Sequence, residues 1–277
     1  MSGAEQLTGG ISCITSAPVA LITLGHGARA LTPTTVVGLA EGFRRATDDP
    51  TVRVIILRSA DDSAFCTGLD LGATPGADSI AAASEAFPDL LDSIRRTPKP
   101  VVGLVGGLVR GGGIGLAGVC DIVIADTGAT FQFSEVLLGL APACVLAFLQ
   151  PFRVSPGRLS AAVLTAETLD ADAALRLGLI DEVVDAAHRE RHARVVVQAL
   201  LRAEPEALAA SKELLRSAGS TSAETSRVAA AANMLSAQLG SGRPAAAAAA
   251  YEATHLPRWA QQFRPTQDLW AGAAIDG

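Results

Sequence analysis

The chain has 277 residues, of which 49% are apolar, 18% charged and 4% aromatic, with 27 glycines and 14 prolines. That is too hydrophobic for a disordered chain and too rich in Gly and Pro for a coiled coil; the length suits one large α/β domain with an appendage, or two domains. A net charge of −6, from 28 acids against 22 bases, argues against nucleic acid or an anionic membrane as the main partner, because both need a basic surface.

Four cysteines, at positions 13, 66, 120 and 144, form no C-x-x-C pair and no dense framework, so reduced thiols in a cytosol are expected. The N-terminal MSGAEQLTGG has neither a basic nor an apolar signal region, and no apolar run reaches the roughly 18 residues of a membrane span. A soluble, cytoplasmic protein is the expectation. His188 and His192 stand at a spacing that one metal can share on a helix face. No cysteine pair precedes them and arginines 189 and 191 flank them, which favours a solvated face and no metal.

In chain order, PVALITL (18–24) and VRVIILRS (52–59) are short and rich in Val, Leu and Ile, as buried strands are. Between them a helix runs from TPTT (32–35) to about Thr47, with Val36, Leu39, Phe43 and Ala46 on one face. Thr32 is its N-cap and Pro33 occupies the first helical position. Further strands are read at 99–107, 120–126 and 130–133. Beyond Val145 helices dominate, at 145–153, 156–166 and 171–177, with a strand at 180–184. Successive helices then run to about 252. The organisation is a β/α core over residues 1–200 and a C-terminal helical region over 201–277.

Two glycine-bearing turns follow strands: AFCTGLD (64–70) and GGLVRGGGIGLAG (106–118). Glycine there allows positive φ and close approach of a ligand to the backbone, and a helix starting at Gly112 or Gly113 would leave N–H groups unpaired. Glycine alone reads first as an ordinary tight turn. The second turn fits a dinucleotide fingerprint only loosely, and no Gly-Lys-Ser/Thr follows to make a P-loop. In SEVLLGLAPACVLAFL (134–149), Glu135 is a lone carboxylate beside an apolar run. It is either a solvated acid in a helix's first turn or a general acid/base whose burial raises its pKa.

AFCTGLD, GGGIGLAGVCDIVIA and FSEVLLGLAP, in this order and spacing, resemble the crotonase (enoyl-CoA hydratase/isomerase) superfamily over residues 18–260. The resemblance implies an α/β spiral of ββα units with a C-terminal helical region, assembled as a homotrimer or a dimer of trimers. It implies a thioester substrate on a phosphopantetheine arm, carried by CoA or an acyl carrier protein, and no other cofactor. It also implies an oxyanion hole made by the backbone N–H groups of Leu69 and Gly112; Gly68, Gly111, Gly115, Arg110 and Cys144, in or beside these motifs, are candidates for the substrate pocket. Two fixed donors aimed at an enolate oxygen suit that role, one such donor being worth on the order of 3 kcal/mol.

Hydratases of this family hold two glutamates. Here the first position is Gly115 and only the second remains, as Glu135. One carboxylate suffices to move a proton between C2 and C4, or to take an α-proton and return it to a departing hydroxyl. The stretch 134–149, with its PACVL, and the tail AAYEATHLPRW (249–259) resemble one subgroup, the dehydratases of polyketide β-methyl-branching cassettes. That subgroup's role implies dehydration of 3-hydroxy-3-methylglutaryl on an acyl carrier protein to 3-methylglutaconyl, which a partner crotonase decarboxylates. Ala147 stands where the subgroup has proline.

A free substrate carboxylate calls for a cation, and Arg110 and Arg153 are the sequence's offers, each also readable as a surface arginine. Cys66 and Cys144 read as small apolar fillers, and His26 as a solvated loop histidine. Arg44, Arg45, Arg95, Arg96 and Lys99 are available to meet CoA phosphates or an acidic carrier. A single-glutamate isomerase or hydratase on CoA thioesters, and a non-catalytic subunit of this fold, are the competing readings.

Overall fold

The computed structural model describes residues 5–60, 62–70, 77–149, 153–154, 156–218, 223–242, 245–246, 248–249 and 253. Strands and helices are numbered in chain order. β1 (Glu5–Gln6), β2 (Ile11–Ser16) and β3 (Val19–Leu24) are antiparallel neighbours. From β3 the main sheet continues in parallel through β4 (Val54–Ser59), β6 (Val101–Val105), β8 (Ile122–Asp126) and β11 (Glu182–Val184).

Successive side chains of a strand point to opposite faces, and the inner strands of this sheet are apolar on both. In β4, Ile55 and Leu57 enter the central core, while Val54 and Ile56 face α7 (Arg189–Leu201) and its Ala193 and Val197. β6 does the same, with Val101 and Val105 inward and Val102 and Leu104 toward α7. The inner face is covered by α1 (Pro33–Asp48), whose Val36, Leu39, Phe43 and Ala46 are all buried as the 3.6-residue spacing predicts. Thr32 caps α1, its Oγ1 accepting from the Thr35 N–H at 3.1 Å.

A second, smaller sheet sets up the site. β5 (Ala64–Cys66), β7 (Leu108–Arg110) and β9 (Thr130–Gln132) lie side by side in parallel, and β10 (Leu169–Asp170) closes the edge antiparallel to β9. Each follows a long strand of the main sheet: β4 leads to β5, β6 to β7, β8 to β9. The first two such pairs are followed by α2 (Ala77–Arg96) and α3 (Gly112–Gly118). This is the ββα spiral expected from the sequence. Because β5, β7 and β9 are adjacent and parallel, the turns that leave their C-terminal ends emerge next to one another.

The remaining helices are α4 (Ala143–Leu149), α5 (Pro156–Thr165), α6 (Ala171–Leu177), α8 (Pro205–Ala218) and α9 (Ala223–Gly240). The C-terminal region does not stand apart, since α9 folds back onto α2 and α4. α6 and α3 start where the sequence places them. The hairpin β1–β2, the short strands β5, β7 and β10, and α2 are additions to the sequence reading. The 249–259 stretch lies outside the described residues apart from positions 249 and 253.

Candidate active site

The three turns deliver three groups to one place. After β5, the Leu31 N–H donates to the Gly68 carbonyl at 2.8 Å and the Asp70 N–H to the Leu31 carbonyl at 3.3 Å. Alternation along an extended segment turns the intervening Leu69 N–H to the opposite side. After β7, Gly111 (φ 48°, ψ −117°) bends the chain into α3, and Gly112 is that helix's first residue, so its N–H has no partner within the helix. The two turns touch: a β-carbon at Gly68 (φ 86°) would stand 3.0 Å from the Arg110 carbonyl and 3.2 Å from the Gly112 nitrogen. Only glycine allows that approach.

After β9, Ser134–Leu138 forms a 3-10 turn that carries Glu135. The glutamate is half-buried as a residue, yet among the described residues its Oε2 is fully enclosed and has no hydrogen-bond partner. Burial pushes the carboxyl up to about 7, against a smaller opposing pull from its own backbone N–H. A β-carbon at Gly111 would stand 3.2 Å from Oε1, so the acid sits directly across from the second turn.

Gly68, Leu69, Gly111, Gly112, Glu135 and Cys144 all line one cavity of about 50 Å³. The far wall comes from α9, where Leu235 packs with Leu140 and Cys144 and the Gln238 amide oxygen accepts from the Ala141 N–H at 2.9 Å. The roof of the site therefore belongs to the same chain. A water needs roughly 10–15 Å³ of such space, so a cavity of this size has room for a few waters. Among the described residues lining it, the polar side chains are Thr67, Ser134, Glu135 and the Cys144 thiol, and none is a cation.

Gly115 lies behind this lining. A β-carbon there would make ordinary contacts with Leu91 (3.4 Å), Phe87 and Val145 (both 3.5 Å), so the place of a second carboxylate is walled by apolar side chains. Two arginines depart from expectation. Arg110 turns away, donating to the Thr130 carbonyl at 2.7 Å and to Thr130 Oγ1 at 3.1 Å, acceptors offered by the neighbouring strand β9, where Thr130 pairs with Leu108 two residues back. Arg153 donates to the Cys120 carbonyl and to Asp181, both at 2.9 Å, and ties the end of α3 to the start of β11. Neither lines the cavity.

Arg153 borders a wider groove of about 590 Å³ between the end of α3 and α8. Its lysine, Lys212, is held by Asp121 at 2.7 Å, and nothing in that groove matches the acid/base and N–H arrangement around Glu135. Burial pushes the thiols of Cys66 and Cys144 up to about 12, which keeps both protonated and makes them fillers. His26 is exposed. His192 meets Glu182, and among the described residues no three metal-ligating side chains come together. Sequence reasoning missed Phe87, Leu235 and Gln238, since residues on distant helices leave no local signal.

A family model for enoyl-CoA hydratase/isomerase matches residues 15–262. The chain belongs to this family. Its curated relatives include a carnitinyl-CoA dehydratase of Proteus mirabilis, 32% identical over 191 residues, which cover 67% of this chain and 72% of that one. The Salmonella typhi protein of the same name is 31% identical over 72% of this chain and 77% of its own. Among solved structures, an enoyl-CoA hydratase from Mycobacterium avium superposes with a TM-score of 0.76 at 29% identity, covering 90% of this chain and 98% of that one. A Bacillus subtilis protein assigned to polyketide biosynthesis as an enoyl-CoA hydratase superposes at 0.77 over 89% of this chain and 98% of its own; at 23% identity it shares the fold. In this chain both glycine turns meet one carboxyl, that of Glu135, among the described residues lining the cavity.

Proposed function

We propose that the protein dehydrates a β-hydroxyacyl thioester, with Glu135 as its one acid/base group and the Leu69 and Gly112 N–H groups receiving the thioester oxygen. The observation that carries this reading is the enclosed, unpartnered Oε2 of Glu135, the one carboxyl lining the cavity among the described residues. Ionised, Glu135 takes the α-proton while negative charge moves onto the thioester oxygen and is stabilised by the two N–H donors. The carboxyl then gives that proton to the β-hydroxyl, which leaves as water. A pKa near 7 suits a group that must both accept and donate near neutrality. The name of the carnitinyl-CoA dehydratase relatives supports dehydration over migration of a double bond.

The narrower substrate we infer is 3-hydroxy-3-methylglutaryl on an acyl carrier protein, from the resemblance of residues 134–149 and from the tertiary hydroxyl, whose easier departure tolerates the loss of a second acid. CoA remains the alternative carrier. Arg44, Arg45, Arg96 and Lys99 engage Glu41, Glu5, Asp92 and the backbone carbonyls of Ala46 and Asp49, so recognition of either carrier would compete with these contacts. Self-association into trimers, also inferred, is supported by the exposed Leu214 and Leu215 of α8.

The test is intact-protein mass spectrometry of a carrier protein loaded with 3-hydroxy-3-methylglutaryl, with the CoA thioester in parallel. Loss of one water from the carrier-bound substrate supports the full reading. Loss from CoA alone moves the carrier assignment, and turnover of a 3-enoyl thioester without any dehydration moves the protein to the isomerases.

A further inference from the structure

The cavity has two chemically different sides, and α3's first turn divides them. On one side, the β-carbon position of Gly111 faces the Glu135 carboxylate at 3.2 Å. On the other, the β-carbon position of the next residue, Gly112, meets Leu31 Cδ1 at 2.8 Å and the edge of the Phe87 ring, 3.3 Å from Cζ and 3.4 Å from Cε1. Phe87 reaches one turn further, to 3.5 Å from the Gly115 position, where Leu91 and Val145 complete an apolar wall. Phe87 is 1% exposed, and it and Val145 line the cavity.

We propose that Phe87 is the specificity-determining residue for the β-carbon, selecting substrates in which that carbon carries an alkyl branch. The inference rests on the dehydratase reading. When one carboxylate performs both proton transfers, the α-hydrogen and the leaving hydroxyl face Glu135 together. The β-carbon keeps two other substituents, the onward chain and either a hydrogen or an alkyl group, and these are turned from Glu135. On this proposal a methyl group there packs against the Phe87 ring edge, and a hydrogen makes no such contact. One methyl's worth of contact in an apolar pocket discriminates by about 10–200-fold in kcat/KM.

The experiment compares kcat/KM for 3-hydroxy-3-methylglutaryl and 3-hydroxyglutaryl thioesters on the same pantetheine carrier, in the wild-type protein and in Phe87→Leu, Phe87→Val and Phe87→Ala. Intrinsic reactivity of the two alcohols cancels in the comparison between variants. The expected result is a branched-to-unbranched ratio that falls stepwise with side-chain size, by about tenfold or more in Phe87→Ala. Phe87→Leu, which keeps most of the wall, should retain most of the preference. Should Phe87→Ala melt below the assay temperature, Leu and Val alone still give the trend. Equal losses on both substrates, with an unchanged ratio, would make Phe87 a packing residue and overturn the proposal. If the wild-type protein dehydrates neither thioester, the dehydratase reading itself fails, an outcome visible before any variant is measured.

Discussion

The Glu135 carboxylate lies against the backbone of Gly111, its Oε1 3.2 Å from where a β-carbon at position 111 would stand. Gly111 holds φ 48° and ψ −117°, a combination that side-chain-bearing residues rarely adopt. Gly111→Ala therefore strains the turn by about 1–3 kcal/mol and pushes the acid from its place. A displacement of that kind costs on the order of 10²-fold in rate. Melting curves and kcat on a β-hydroxyacyl thioester check both halves, and an unchanged kcat would mean that the contact does not hold the acid in position.

Activity should depend on pH through the same group. Below pH 7 Glu135 is protonated and cannot take the α-proton, so kcat/KM is expected to rise with an apparent pKa of about 7. Stability runs the other way. An unfolded glutamate titrates near 4.5 and the folded one near 7, so between those values the folded chain keeps a proton that the unfolded chain has lost. The stability linked to this group is fully present below pH 4.5 and disappears as pH rises through 7, a change on the order of 1–3 kcal/mol once the solvent-facing part of the side chain is allowed for. Glu135→Gln should flatten that part of the stability profile, and denaturant midpoints from pH 4 to 8 measure it.

At position 115 the surroundings decide what is tolerated. A β-carbon fits at 3.4–3.5 Å from Leu91, Phe87 and Val145, and alanine is the better helix former, so Gly115→Ala should hold or gain up to about 1 kcal/mol. Gly115→Glu places a carboxylate among those three side chains, where burial without a partner is costly. A lower melting temperature and no gain in enoyl-thioester hydration are expected. A gain in hydration would show that the second carboxylate can be restored by substitution alone.

The roof predicts a separation of kinetic effects. Gln238 holds α9 to the Ala141 N–H through one hydrogen bond, and Leu235 seals the cavity beside Cys144. Leu235→Ala should lower kcat by admitting water to the site. Gln238→Ala, which gives up about 1 kcal/mol of closure, should act mainly on KM. Steady-state kinetics that leave both variants at wild-type values would place the working roof elsewhere.

Much of this architecture is written locally in the chain. The Val- and Ile-rich runs of β3, β4, β6 and β8 announce buried parallel strands, and Thr32-Pro33 marks a helix start that the cap geometry matches. Glu135 could be singled out because a carboxylate beside VLLGLAP needs a reason to be there, and the structure supplies one in its enclosure. Of the small sheet the sequence shows only β9, as TFQF; β5 and β7, three residues each, are too short to show a period of two, and tertiary pairing creates them. The partners of the two arginines are illegible for a related reason. A guanidinium's partner is set by which carbonyls the fold brings near, and nothing around position 110 in the sequence points to Thr130. Phe87 gives no signal either, since an aromatic in a helix reads as core whether or not it also borders a cavity.

The most direct test of the central claim is Glu135→Gln beside the wild-type protein, each assayed for loss of water from a β-hydroxyacyl thioester after melting curves have shown that both are folded. Glutamine keeps the shape of the side chain and removes its ability to carry a proton, so the account predicts a loss of about 10²–10⁴-fold in kcat. Dehydration by the variant at close to the wild-type rate would contradict it, because no other carboxyl lines the cavity among the described residues.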